Sequence, residues 1–207
     1  MFGMIASNRW LEKSLITPLI LALLIALPST AALWPQEAQA HKGHGGSMVT
    51  LMKKKKALKA MLPLDAKLTK RKERLSEDAA NWADNTYKIS YGTSLFTYYL
   101  ARDRSSGDTV GAAIIDKFSY RHGDVLLAVG IDSEGRTTKV AITAISEKYI
   151  PDFEGSVGTG FITQYEGKSL EELLVMSDEM ASADKPSRDV ATKVRDSAVL
   201  LNAFMKK

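Results

Sequence analysis

The chain has 207 residues and a formal net charge of +4, from 28 Lys and Arg against 24 Asp and Glu. That length suits one domain with appendages. The absence of cysteine excludes disulfides, thiolate metal sites, iron–sulfur clusters, haem attached through Cys and thiol nucleophiles.

In chain order, the first forty residues read as a secretory signal peptide. Arg9 and Lys13 form a short basic start, and residues 15–27, LITPLILALLIAL, form an apolar run. That run is shorter than the roughly 20 residues a spanning helix needs. Ala38-Gln39-Ala40 is a small-x-small site, so cleavage is expected before His41. An uncleaved N-terminal anchor is the rival reading. Both predict a periplasmic or otherwise extracytoplasmic protein.

Residues 41–47 are Gly-rich and read as a flexible leader. If His41 becomes the N-terminus, its amine and imidazole together with His44 offer a ligand set for Cu(II). Met48 and Met52 could serve Cu(I). His122 could join only if the fold brings it near.

Residues 48–93 read as a basic helical arm. A helix is predicted from about Met48 to Leu62, ended by Pro63, and a second from about Asp65 to Trp82, on the spacing of Leu68, Leu75, Ala79 and Trp82. Within this arm residues 53–74 hold ten Lys and Arg against Asp65 and Glu73. A solvated helical face explains such a segment; so does attraction to anionic lipid headgroups or to an acidic redox partner. An exported protein has little occasion to meet nucleic acid.

From residue 94 the period becomes that of strands. Residues 95–103, 109–120, 124–132 and 137–146 are apolar, alternating runs joined by short Gly-containing turns, which predicts an antiparallel meander. Gly107, Gly123 and Gly135 are expected to supply the positive φ of those turns. Residues 147–168 read as a long exposed loop around Pro151, Gly155, Gly158 and Gly160. A short helix follows, with Ser169 and Glu172 as a capping box. The last helix is predicted to begin near Pro186 or Asp189, with Val190, Val194, Ala198, Leu201 and Met205 as its core stripe. The fold class is therefore α+β: an antiparallel meander packed with C-terminal helices, preceded by the basic arm.

Hydrolase chemistry finds no support, since there is no G-x-S-x-G or H-E-x-x-H and the chain holds three His. The run Gly155-Ser156-Val157-Gly158-Thr159-Gly160 lacks a strand–turn–helix context and is no dinucleotide fingerprint. Its backbone amides could nest a phosphate or leave room for a flat ring, beside Gln164 and Lys168.

The order of these parts resembles the FMN-binding domain family, whose members include covalent-flavin subunits of the Rnf electron-transport complex and of sodium-pumping NADH:quinone reductase. The resemblance covers roughly residues 94–207. It rests on the hairpin LLAVGIDSEGRTTKVAITAISE, the segment EKYIPDFEG, the run Phe161-Ile162-Thr163-Gln164-Tyr165-Glu166-Gly167-Lys168, and Asp189-Val190-Ala191-Thr192. The last stands where the family has Ser-Gly-Ala-Thr. The resemblance implies a flavoprotein of electron transport, with a membrane-bound or periplasmic redox partner. It also implies FMN either joined to Thr192 through a phosphoester by a flavin transferase or held noncovalently. On a helical wheel Thr192 falls nearly opposite the core stripe, and its place near the helix start is expected to offer free N–H groups to a phosphate. Val190 and Asp189 depart from the family's Gly and Ser. A flavin-free binding or scaffold module on the same fold therefore stands beside the flavin reading.

Overall fold

The chain is described here from a computed structural model, which places residues 46–156 and 160–206. The leader readings, including His41 and His44, lie outside the described residues. All described residues belong to one compact unit, Ala40–Lys207.

The protein is α+β. Its centre is a six-stranded antiparallel sheet. The chain runs β1 (Met48–Thr50), α1 (Lys54–Met61), β2 (Lys67–Glu73), α2 (Glu77–Tyr87), then the meander β3 (Phe96–Arg102), β4 (Thr109–Tyr120), β5 (Gly123–Asp132) and β6 (Thr137–Ser146). Helices α3 (Ile150–Ser156), α4 (Leu170–Glu179) and α5 (Lys185–Met205) complete it. Strand order is β1-β6-β5-β4-β3-β2, so the first two strands flank the meander at opposite edges.

The meander forms where the alternation places it. Gly107 and Gly135 take the expected positive φ in their turns, but Gly123 does not. In the β4–β5 turn it is Arg121 that adopts φ 52°. Gly123 is needed for space instead: a Cβ there would lie 2.7 Å from Ser146 Oγ and from Tyr149 Cε2.

The basic arm is corrected. Residues 67–73 are not helix but an edge strand, paired along its length with β3 from Lys67↔Arg102 to Glu73↔Phe96. Helix α2 starts only at Glu77, where the Ser76 hydroxyl accepts from the Ala79 amide. Met48–Thr50 is likewise a short strand against β6. The 48–93 stretch is thus part of the sheet rather than a separate arm.

Two cores result. On one face, Tyr98, Ile114, Leu127, Val129, Ile131 and Ile145 pack under α5, with α2 and α4 outside it. On the other, Ala101, Ala113, Ala128 and Ala141 form a low surface on which α1 lies through Ala57, Leu58 and Met61. Helix α5 is buried at Val190, Val194, Ala198 and Leu201 of the expected stripe, with Met205 half-buried, and also at Ala191, Ser197, Val199 and Leu200. The wider burial follows from its position between the sheet and the outer helices. Helix α4 opens with the expected capping box: Ser169 Oγ accepts from the Glu172 amide and the Ser169 amide donates to Glu172 Oε2. Among the described residues no helix is long and apolar enough to cross a membrane.

Candidate cofactor site

Helix α5 begins at Lys185, with Asp184 as its N-cap, accepting from the Ser187 amide at 2.9 Å. Thr192 therefore lies beyond the N–H groups left free at a helix start. The expectation that such groups await a phosphate at Thr192 is corrected; cations stand there instead. Thr192 is half-buried. It lines an open hollow of about 450 Å³ between α5 and the end of β4, with Phe118, Lys185, Arg188, Asp189 and Lys193.

The β4 side of this hollow comes from strand alternation. Asp116, Phe118 and Tyr120 follow Ala112 and Ile114 on the face toward α5. Asp116 Oδ2 accepts from Lys193 Nζ at 2.5 Å, tying the strand to the helix. Lys185 pairs with Asp189 one turn on, at 2.5 Å. Arg188 donates to the carbonyls of Ala181 and Ala183, steadying the chain before α5. The Tyr91 hydroxyl donates to the Asp196 carbonyl; burial first, then the Asp196 charge, pushes that phenol far above its ordinary pKa.

Behind the mouth is an aromatic wall. The Tyr120 ring meets Tyr149 at 5.3 Å and Phe153 at 4.9 Å, both edge-on. Its hydroxyl donates to Asp152 at 3.0 Å, and Arg121 pairs with the same carboxylate at 3.3 Å. Burial and then Asp152 raise the Tyr120 pKa, so this group stays a neutral donor.

The remaining expected residues lie elsewhere. A second hollow of about 420 Å³ sits beside β6, lined by Leu51, Ile142, Ile150, Phe153, Gly160 and Ile162. It is markedly more apolar than the first. Residues 147–168 are not one irregular loop: a 3-10 turn over Glu147–Tyr149, α3 and a second turn over Thr163–Tyr165 occupy most of it. Burial of Tyr149, Phe153 and Tyr165 supplies the reason. Gly155 lies in the last turn of α3, Gly158 lies outside the described residues, and Gly160 takes φ +110°. Gln164 is half-buried in the second turn. Lys168 Nζ pairs with Glu172 Oε1 at 3.1 Å, at the start of α4. The two hollows share no lining residue. Thr192, Ala191 and Asp189 thus belong to one place, with Ala191 buried beneath it, and Gly160 to another.

Sequence reasoning missed Asp116, Phe118, Lys185, Arg188 and Lys193. One signal was available: Asp116 interrupts an otherwise apolar alternating row. Of the residues expected as copper ligands, His122 is exposed in the β4–β5 turn, its amide donating to Tyr149 Oη at 3.3 Å. Among the described residues no group of three or more His, Asp or Glu converges. No family model matches the chain, and no curated protein or solved structure matches it either.

Proposed function

We propose that this protein is an exported FMN-binding electron-transfer protein, its flavin phosphate held in the α5–β4 hollow at or beside Thr192. One observation carries the reading: half-buried Thr192 shares a hollow with Lys185, Arg188 and Lys193, beside the carboxylates of Asp189 and Asp196. A phosphate is an anion that these three cations could suit together. Bound FMN would supply the redox chemistry, while the protein supplies binding and electrostatics. Lys185, Arg188 and Lys193 would hold the phosphate, exchanging part of their present pairing with Asp189 and Asp116. Phe118 offers an apolar surface beside them. The resemblance over residues 94–207 supports the same assignment.

A second reading has its own observation. Val190 and Ala191 are 0% and 1% exposed, so the backbone before Thr192 is fixed as ordinary helix where the related motif has Gly. That favours a flavin-free binding module on this fold.

The test is an absorption spectrum and intact mass of the protein isolated from the periplasm of a host expressing a flavin transferase. Added mass equal to one FMN, absent in Thr192→Ala and retained in Thr192→Ser, is the covalent outcome. Yellow colour lost on denaturation is the noncovalent one. A colourless protein of plain mass after incubation with FMN refutes the flavin reading and leaves the binding module.

A further inference from the structure

We infer that the α1 face of the sheet docks on an anionic lipid bilayer, independently of any flavin. Strand β2, over residues 67–73, produces this surface. Lys70 pairs with Tyr99 and Lys72 with Thr97, so both side chains share the face that Tyr99 turns toward α1. Lys54 Nζ sits 4.7 Å from the centre of the Tyr99 ring on that same face. Lys55, Lys56 and Lys59 of α1 are exposed. Helix and strand, separated by a turn, thus present one array of cations.

The placement of these charges works against the helix that bears them. Helix α1 has no acidic residue in its first turn and no side-chain cap. Lys53, Lys54, Lys55 and Lys56 crowd its positive end, where cations are destabilising. A surface that breaks a local rule this way calls for a compensating gain elsewhere. An external sheet of negative charge provides one.

The apolar part of the surface decides which polyanion fits. Leu64, in the turn joining α1 to β2, is 81% exposed. Leu68 is 41% exposed and pairs with Ala101, which places it on the α1 face. A phosphodiester backbone has no use for a leucine at the tip of a turn; the acyl boundary of a bilayer does.

Because the chain lacks cysteine, one introduced thiol can report the contact. In the full chain, Leu64→Cys is labelled with an environment-sensitive fluorophore. Val175→Cys, 55% exposed on α4 over the opposite face, serves as the control. Each is mixed with phosphatidylcholine vesicles carrying about 30 mol% phosphatidylserine and with pure phosphatidylcholine vesicles. The label at 64 brightens with the anionic vesicles alone, loses the effect in high salt, and the label at 175 stays unchanged. Adding Lys55→Glu, Lys56→Glu, Lys70→Glu and Lys72→Glu lowers partitioning by on the order of a thousandfold. All four positions are exposed, and the melting temperature confirms the fold. Equal brightening on both vesicle types would show apolar contact acting without charge and overturn the proposal. So would brightening at both labels, or stronger binding to a short DNA duplex than to the vesicles.

Discussion

The two faces of one sheet are built on opposite plans. Toward α5 the strands present Tyr98, Ile114, Leu127 and Ile131; toward α1 they present Ala101, Ala113, Ala128 and Ala141. Large side chains bury more apolar area and hold a helix at ordinary distance, while alanines let a helix lie close and bury little. The first face therefore carries the stability of the fold. The second is free to spend its outer surface on lysine. A strand can serve both plans because its side chains alternate.

The contrast is sharpest in a pair of truncations. Leu201→Ala on α5, where the residue is 0% exposed, is expected to cost about 3–5 kcal/mol. Leu58→Ala on α1, at 7% exposed, is expected near the lower end of the range, about 2 kcal/mol. Urea denaturation of both variants measures the difference, and equal losses would break the comparison.

A smaller effect tests the close approach itself. A Cβ on Gly130 would lie 2.6 Å from Met61 Cβ and from Thr138 Oγ1. Gly130→Ala should therefore lift the end of α1 and cost about 1–3 kcal/mol. Hydrogen exchange in α1 should quicken while that in α5 stays slow.

The smallest effect has the opposite sign. Tyr165 is 1% exposed and its hydroxyl has no hydrogen-bond partner among the described residues. Tyr165→Phe should stabilise the protein by up to about 1 kcal/mol at neutral pH. Burial pushes the Tyr165 phenol up to about 12. A raised folded pKa gives stability that is complete below the unfolded value near 10 and is lost as pH rises through about 12. The phenylalanine variant should show a shallower alkaline decline, read by thermal melts across pH 9–12.

The meander and the capping box of α4 were legible because each rests on local rules: alternation, turn residues, and a serine three positions before a glutamate. Strand β2 was hidden because it is an edge. Its α1 face meets water beyond Leu68, so KLTKRKE shows no apolar alternation, and the leucines on either side imitate a helix. Ser76, three residues before Ala79, marked the true helix start. At the candidate site, Thr192 could be found by resemblance. Its neighbours could not, since Lys193 meets Asp116 across 77 residues of chain. The start of α5 at Lys185 falls one residue before the expected Pro186, which suits the first turn of a helix.

The segment Met48–Glu73 closes the sheet at both edges, β1 against β6 and β2 against β3. It is made before the meander, yet Met48 finds Ser146 only 98 residues later. Until β6 is made, Met48–Thr50 has no strand of the sheet to pair with, the condition in which chains pair wrongly. Strand β2 waits only for β3, and its dense positive charge is the kind of feature that keeps an unpaired edge from recruiting another copy. Folding should then begin in the local hairpins of the meander and finish as β1 and β2 clasp them.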